Sequence, residues 1–508
     1  MPIPADPAPR PLDHLCLMGK RSAPALVLRS GTYSHQELNE RVGRLAAWLK
    51  GQVGECGARV ASWAGKGEFA CLMPLAAARA GLVHVPVNPV LKRAQVAHIL
   101  ADCEASLLVS NKGRLAGLQE GDVPGRCGVV QETDAVVQAE RCDALPPSPD
   151  GTDTDALAAI LYTSGSTGRP KGVMLSHANL WLGAISVAHY LRYEADDVVL
   201  GVLPLSFDYG QNQLLSAWAA GASVVPLDYL MPRDVMRACA GHGVTTLAAV
   251  PPLWHQLVAL DWEPQAVATM RRLTNSGGAL TEPLVRRLQA LFPQADLYPM
   301  YGLTEAFRST YLDPALVNSH PTSMGTAIPF AEVLVVDDAG DIAAPGEEGE
   351  LVHCGPLVAQ GYWQDTARTA ERFRPAPEAS RYGGKAVWSG DRVVRDAAGL
   401  LYFVGRRDAM IKSAGNRISP LELEEAALET GLVAQAAAFG LADERLGQAV
   451  HLVVTGEETH ELAAALAKAL PNFMQPRAIH WREAMPLNPN GKIDRTALLA
   501  ELTAEQTA

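Results

Sequence analysis

Helix-like and strand-like apolar patterns alternate along the first part of this chain. Ser34 to Glu37 form a capping-box pattern, and the apolar residues that follow recur every three or four positions, which predicts a helix. A strand over 59–64, a helix over 68–79 and a strand over 83–87 then predict a βαβ unit. Residues 122–155 are richer in Pro, Gly and acidic residues, which indicates a boundary between two lobes.

The alternation resumes after this segment and changes character towards the C-terminus. Apolar runs at 198–203, 223–227 and 246–250, separated by helix-like stretches, predict a parallel or mixed sheet covered by helices. Short strand patterns with Gly and Pro turns follow residue 331 and predict a small antiparallel or barrel-like lobe. Their positions are 333–337, 349–354, 386–388 and 401–404.

A charged segment near residue 407 separates this β-rich part from the C-terminal tail. Ser419-Pro420-Leu421-Glu422 combines an N-cap, a proline at the first helical position and a capping-box Glu. About a hundred residues remain, enough for a small domain. We therefore predict an α/β protein. Its N-terminal domain (1–407) has two α/β lobes and a small β-rich lobe, and its smaller, mobile α+β domain spans 408–508.

Composition excludes several classes of function. The 508 residues are 48% apolar and 19% charged, as in ordinary globular proteins, and the net charge is −12 without any basic run. Nucleic acid and anionic membranes are therefore poor candidate partners. No apolar stretch is long enough to span a bilayer, and the Pro-rich first ten residues do not resemble a signal peptide. The eight scattered cysteines, without C-x-x-C, indicate free thiols, and we expect a cytoplasmic protein.

One stretch has the composition of a phosphate-binding loop. It lies between an apolar run at 156–161 and an amphipathic pattern at 175–191, and it consists mainly of Thr, Ser and Gly with a basic residue at its end. Small residues let backbone N–H groups approach an anion, and a lysine adds positive charge. A flexible polar linker is the alternative, and the Walker A spacing is absent. The candidate residues are Thr163, Ser164, Gly165, Ser166, Thr167, Gly168 and Lys171.

Two later segments also carry groups suited to a nucleotide. The glycines of Asn275-Ser276-Gly277-Gly278-Ala279-Leu280 would let backbone approach a flat ligand. Tyr301-Gly302-Leu303-Thr304-Glu305 supplies an aromatic face, a hydroxyl for a phosphate oxygen and a carboxylate for a hard cation. The 13 histidines show neither H-E-x-x-H nor paired Cys/His spacing, and G-x-S-x-G is absent, which argues against a zinc site and a serine hydrolase.

The phosphate-loop segment resembles the signature of the AMP-forming ligases, which include acyl-CoA synthetases, luciferases and amino-acid adenylation domains. HQELNERVGRLAAWL (35–49) and ARAGLVHVPVNP (78–89) also resemble the N-terminal lobe of this superfamily, closest to its amino-acid-activating branch. Its motifs occur in the same order from residue 31 to 495. The resemblance implies an ATP- and Mg²⁺-dependent enzyme. Such an enzyme converts a carboxylic acid to an acyl-adenylate with release of pyrophosphate, and then transfers the acyl group to a thiol.

The resemblance also implies roles for individual residues. Gly277, Gly278 and Ala279 would line the adenine pocket, Tyr301 beside Gly302 would stack on adenine, Thr304 would contact the α-phosphate, and Glu305 would bind Mg²⁺. Asp391, in Trp388-Ser389-Gly390-Asp391, would accept hydrogen bonds from both ribose hydroxyls. The family often has Arg-Thr where this chain has Trp388-Ser389. Arg406 would contact the ribose, Asp408 would be the hinge residue, Gly415 would form the wall of the thiol tunnel, and Lys492 would be the catalytic lysine.

Substrate and acceptor stay open at this stage. Fatty-acyl and aryl members usually carry an aromatic-His pair where this chain has Ser206-Phe207-Asp208-Tyr209-Gly210, and the substrate pocket would include Asp208, Tyr209 and Asn212. Asp208 would either hold the α-ammonium group of an amino acid or cap a helix that starts near residue 210. The acceptor would be CoA or the phosphopantetheine of a separate carrier protein. A phosphotransferase and a nucleotide-binding protein without catalysis are the competing classes, and only a kinase would release ADP.

Overall fold

The computed structural model describes residues 8–163, 170–406, 411–413, 416–443, 446–470 and 472–507. Strands of the first two lobes are β1 (Pro24–Leu28), β2 (Gly31–Ser34), β3 (Arg59–Trp63), β4 (Val83–Pro86), β5 (Leu107–Ser110), β6 (Gly128–Gln131), β7 (Leu157–Thr163), β8 (Lys171–Ser176), β9 (Val198–Gly201), β10 (Ser223–Pro226), β11 (Thr246–Ala249), β12 (Arg272–Asn275), β13 (Asp296–Tyr301), β14 (Thr310–Tyr311) and β15 (Thr326–Ala327). The later strands are β16 (Glu332–Val336), β17 (Glu348–Cys354), β18 (Gly361–Tyr362), β19 (Phe373–Pro375), β20 (Lys385–Arg395), β21 (Leu401–Arg406), β22 (Ile411–Ser413), β23 (Asn416–Ile418), β24 (Gln435–Asp443), β25 (Gly447–Thr455) and β26 (Ala478–Arg482).

Helices cover the faces of these sheets. The α-helices are α1 (His35–Val53), α2 (Glu68–Arg79), α3 (Arg93–Asp102), α4 (Lys112–Ala116), α5 (Glu132–Ala139), α6 (His177–Tyr190), α7 (Asp208–Ala219), α8 (Pro232–His242), α9 (Pro251–Leu257), α10 (Pro264–Thr269), α11 (Glu282–Leu291), α12 (Thr366–Arg372), α13 (Pro420–Glu429), α14 (Glu461–Ala469) and α15 (Arg495–Thr507). Short 3-10 turns lie at Leu12–Leu17, Thr304–Ala306, Pro314–Leu316 and Asn472–Met474.

The first lobe is built on a mixed sheet with the strand order β18-β8-β7-β4-β3-β5-β6. Strand β6 lies within the Pro- and Gly-rich segment and β7 follows it, and yet both belong to this one sheet. The predicted lobe boundary at 122–155 is therefore wrong. Part of the segment forms α5, which packs on α1 through a hydrogen bond from the Trp48 indole to Gln138, and its turn residues mark a surface excursion.

The second lobe contains a sheet with the order β15-β14-β13-β12-β11-β9-β10-β1-β2. Strands β9 to β13 pair in parallel, as the apolar runs predicted, and their carboxyl ends lie at one edge of the sheet. The N-terminal strand β1 joins this sheet beside β10, with Leu26 opposite Val224. The second lobe therefore contains strands from both sides of the first lobe in sequence.

Two smaller sheets complete the fold. Strands β16, β17, β19, β20 and β21 form an antiparallel sheet, which confirms the predicted β-rich lobe. The C-terminal residues form another sheet with the order β23-β22-β25-β24, with β26 beside β25, and this sheet has its own apolar core that includes Leu423, Leu452 and Leu462. The α/β fold class is confirmed. The boundary at 407/408 stays a prediction, because 407–410 lie outside the described residues.

Of the two capping boxes predicted from the sequence, one is formed in the structure and one is not. The capping box before α1 is formed, since the Glu37 amide donates to the Ser34 hydroxyl and the Ser34 amide to the Glu37 carboxylate. Ser419 is the N-cap of α13, but its hydroxyl donates to the Val404 carbonyl, so the second predicted capping box is wrong. The helical pattern predicted over 175–191 begins at His177, after β8, and most of its residues are buried.

The eight cysteines, all within the described part of the chain, are free. No helix among the described residues combines the length and apolar character that a membrane crossing requires.

Candidate active site

A cavity of about 390 Å³ lies at the carboxyl ends of β12 and β13 and brings together predicted residues from distant parts of the chain. Ligand sites of open parallel sheets form at this edge, because loops diverge there after neighbouring strands. The wall continues onto the small antiparallel sheet and the C-terminal region. The predicted residues that line the cavity are Gly277, Gly278, Ala279, Tyr301, Gly302, Asp391 and Lys492.

Tyr301 and Asp391 meet across this cavity. The Tyr301 hydroxyl donates to Oδ2 of Asp391 at 2.5 Å, and Asp391 is 4% exposed. Asp391 belongs to β20, where its amide donates to the Ser389 hydroxyl. An aromatic ring and a carboxylate are therefore held side by side, as stacking on a base and binding of a diol require.

Lys492 reaches the same cavity from the loop between β26 and α15. Its Nζ lies 4.7 Å from the centre of the Phe207 ring. Gly277 has a φ of +83°, and a Cβ placed there would lie 2.4 Å from Cε of Lys492. The glycine therefore supplies both the left-handed backbone and the space that the lysine side chain occupies.

Lys171, at the start of β8, and Glu305 form a largely buried ion pair. Nζ of Lys171 lies 3.0 Å from Oε1 of Glu305 and donates to the Tyr362 hydroxyl at 2.7 Å, and that hydroxyl donates to the same carboxylate oxygen at 2.6 Å. Burial alone would raise the pKa of Glu305, but the lysine charge and the tyrosine hydrogen bond outweigh it and hold the pKa below its ordinary value. The carboxylate is thus kept ionised.

This carboxylate suits a cation that bridges ATP phosphates. Mg²⁺ typically takes one or two protein carboxylates and completes its shell with phosphate oxygens and water. Within the described ranges, no group of three or more His, Cys, Asp or Glu side chains could hold a metal ion. The residues therefore fit an ion that arrives with the nucleotide, and they do not fit an all-protein metal cage.

Thr304 contacts Asp208 of the predicted substrate pocket. The Thr304 hydroxyl donates to Oδ1 of Asp208 at 3.3 Å, and both residues are buried. Asp208 is the first residue of α7, whose N-cap is Phe207, so the alternative in which Asp208 caps this helix is wrong. Burial raises the pKa of Asp208, although the charges of Arg308 and Lys492 act against burial.

The remaining pocket residues surround Asp208. The Tyr209 hydroxyl shares a 2.6 Å hydrogen bond with the Thr274 hydroxyl. The guanidinium of Arg308 lies 4.5 Å from the centre of the Tyr209 ring. Asn212 is 2% exposed, one helical turn after Asp208, and its Oδ1 has no hydrogen-bond partner in the described structure.

Several predicted residues lie outside the described part of the chain. They are Ser164, Gly165, Ser166, Thr167, Gly168, Asp408 and Gly415. Thr163 and Lys171 flank the first group and pair in register as the ends of β7 and β8. The backbone of Arg406 pairs with Asp391, but the Arg406 side chain is not among those described.

Three neighbours of the site were not predicted from the sequence. Tyr362 stands beside Trp363 in a polar segment and Phe207 stands beside Asp208, and no motif pointed to either aromatic residue. Arg308 carried a signal, because a charged residue follows Glu305 by three positions within an otherwise uncharged run. It is 1% exposed, and a buried arginine generally serves a buried anion.

Comparison with known proteins identifies the family of this chain. The AMP-binding enzyme family matches residues 17–363, and the AMP-binding enzyme C-terminal domain matches residues 422–492. Novobiocin biosynthesis protein H of Streptomyces niveus is 34% identical over 96% of this chain and 81% of that protein. L-proline--[L-prolyl-carrier protein] ligase of Streptomyces coelicolor is 32% identical over 92% of this chain and 91% of that protein. ATP-bound MatB from Rhodopseudomonas palustris superposes with a TM-score of 0.87 at 25% identity, over 97% of this chain and 99% of that chain.

Proposed function

Since this chain belongs to the AMP-binding enzyme family, we propose that it is an ATP-dependent, AMP-forming acid–thiol ligase. One observation carries the proposal. Lys492 of the C-terminal region enters the same cavity as Tyr301 and Asp391 of the N-terminal region. A site that only bound a nucleotide would have no need of a lysine delivered from a separate part of the chain.

In the first half-reaction the substrate carboxylate attacks the α-phosphate of ATP, and pyrophosphate leaves. Tyr301 and the backbone at Gly277 to Ala279 hold the base, and Asp391 holds the ribose. Lys492 and Thr304 face the α-phosphate, where negative charge gathers as the two anions meet, and a fixed cation there lowers the barrier. Glu305 would hold Mg²⁺, which supplies further charge neutralisation on the phosphates when bound.

In the second half-reaction a thiol attacks the carbonyl carbon of the adenylate, and AMP leaves. We assign residues 408–508 to a mobile domain that turns about Asp408, withdraws Lys492 and brings up the surface with Gly415. This is a hinge motion between two states. The acceptor is CoA or the phosphopantetheine of a carrier protein. The carrier is kept as the alternative to CoA because one relative is named as a prolyl-carrier protein ligase.

The substrate pocket bears on the choice between an amino acid and a plain acid. Asp208 stands where it could bind an ammonium group close to the reacting carboxylate, beside Thr304. Arg308 already acts on Asp208 as a buried cation, so the carboxylate does not depend on the substrate for its countercharge. A small carboxylic acid, with or without an amino group, therefore remains the substrate class.

The test is to follow ATP during turnover with a panel of amino acids, short-chain acids and aryl acids. We expect AMP and pyrophosphate, and acid-dependent exchange of labelled pyrophosphate into ATP. Release of ADP would instead identify a phosphotransferase. Binding of ATP with no product from any acid on the panel would leave a nucleotide-binding protein.

A further inference from the structure

Asn88 connects the first lobe with the loop that carries Lys492. It follows β4, within the segment of 78–89 that resembles the family, and is 5% exposed. Its Nδ2 donates to the carbonyl of Pro489 at 2.7 Å and lies 3.4 Å from Oδ1 of Asn490. A side chain of the N-terminal lobe thus binds the backbone three residues before the lysine.

The orientation of the Asn88 amide is fixed from both sides. Its Oδ1 accepts a hydrogen bond from the Val90 amide at 3.1 Å, which closes a turn in its own loop. The Pro489 carbonyl can only accept, so the amide must present its Nδ2 to that carbonyl. A residue that only accepts could close the turn but could not bind the lysine loop.

The lysine loop is internally braced, so its position is passed on to Lys492. Oδ1 of Asn488 accepts from the amides of Asn490 and Lys492, at 3.0 and 3.1 Å. The Asn488 amide donates to the Lys492 carbonyl at 2.7 Å. Gly491 has a φ of +78°, which the tight turn requires. A hydrogen bond at Pro489 therefore orients the whole turn.

We propose that Asn88 is a positioning residue that holds Lys492 at the nucleotide for adenylate formation. This role rests on the proposed function. It adds a contact that stabilises the domain arrangement for adenylate formation over the arrangement for thiol transfer. The contact must break when residues 408–508 turn for thiol transfer. Asn88 therefore favours the first half-reaction and contributes nothing to the second.

Asn88→Asp is the diagnostic variant. The carboxylate keeps the acceptor for the Val90 amide but faces the Pro489 carbonyl and Asn490 Oδ1 without a donor, so repulsion replaces the bond. Asn111→Asp is the matched control. Asn111 follows β5 as Asn88 follows β4, and its Oδ1 accepts from the Arg114 amide at 2.9 Å, which a carboxylate can also do.

Hydrogen–deuterium exchange of a peptide over 486–495 tests the contact without any substrate. Loss of one such hydrogen bond should speed exchange in the lysine loop by about tenfold in Asn88→Asp, while Asn111→Asp stays at the wild-type rate. Equal exchange in all three proteins would overturn the proposed contact. This outcome does not depend on whether the chain is a ligase.

The kinetic test uses the acid that gives the fastest pyrophosphate exchange in wild type. Asn88→Asp should lower that exchange by about tenfold or more, while thiol capture of the chemically prepared adenylate keeps its wild-type rate. Parallel loss of both half-reactions, or of neither, would reject the positioning role. If wild type forms no adenylate from any acid, the proposed function itself fails, and the exchange experiment still decides the contact.

Discussion

The ammonium group of Lys171 lies 3.0 Å from a carboxylate oxygen of Glu305, and both side chains are largely removed from water. Lys171 was predicted to neutralise phosphate, and Glu305 to bind a cation. The structure pairs them with each other and with Tyr362. Each charge compensates the other, which keeps both groups ionised in this largely buried place.

Replacing Glu305 by Gln should lower pyrophosphate exchange by about two orders of magnitude, because the cation on the phosphates loses its protein carboxylate. The rate should also respond less steeply to the concentration of Mg²⁺. Steady-state assays over a magnesium titration measure both effects. Glu282→Gln, at an exposed helical ion pair with Arg286, is the control and should behave as wild type.

The same variant gives a pH prediction. Since the folded state lowers the pKa of Glu305, its ionised form stabilises the fold above the ordinary pKa, and this contribution is lost as pH falls through the lowered value. The free energy of unfolding, measured with denaturant, should therefore fall more between about pH 5 and pH 3 for wild type than for Glu305→Gln. An identical pH dependence in the two proteins would contradict the lowered pKa.

Replacing Lys492 by Ala should separate the half-reactions. Adenylate formation should fall by about two to three orders of magnitude, because the α-phosphate loses a positioned cation. Thiol capture of a preformed adenylate should persist. Lys468→Ala, an exposed lysine on α14 of the same region, is the control. Equal loss of both steps in Lys492→Ala would reject the division of labour.

Replacing Gly277 by Ala should impair adenylation by crowding Lys492. The added Cβ would meet Cε of the lysine at 2.4 Å, and the φ of +83° is also unfavourable for alanine. Gly243→Ala has a φ of +60° with open space around its Cβ, so it reports backbone strain alone. The excess defect of Gly277→Ala over Gly243→Ala should vanish in a Lys492→Ala background, which a double-mutant cycle measures.

Replacing Asp208 by Asn distinguishes the two substrate subclasses. If the substrate carries an amino group, KM for it should rise by about a hundredfold or more, because a buried charge partner is lost. A plain acid should bind about as well as before. With an amino substrate, Arg308→Met should move the acidic limb of the pH–rate profile upwards, since Arg308 counteracts the raised pKa of Asp208. An unmoved limb would show that Asp208 does not need to ionise.

The order of motifs predicted which residues would converge on one cavity. Gly277, Tyr301, Asp391 and Lys492 meet there as expected. Each of them belongs to a short segment with a distinctive composition, and such segments are recognisable without knowledge of the packing. The alternation of apolar runs likewise predicted the parallel strands, because a buried strand leaves a continuous apolar signature.

Contacts between segments remote in sequence could not be predicted from the residue pattern. Nothing in the pattern placed Tyr362 against Glu305, or Arg308 above Tyr209, because those contacts depend on how separate sheets are packed together. The Ser419 capping box failed for a related reason, since the Val404 carbonyl competes for the hydroxyl. The lobe boundary was misplaced because composition identifies a surface segment without telling which sheet the chain rejoins.

Strand β1 finds its parallel partner only in β10, with Leu26 opposite Val224. A ribosome must therefore synthesise strands β3 to β8 of the first lobe before β1 can pair with β10. During that interval β1 can pair with β2, but its other edge has to stay unpaired or be shielded by chaperones. For the same reason, a gene divided between β8 and β9 would place β1 and its partner β10 on different fragments. The two fragments should then need each other to fold.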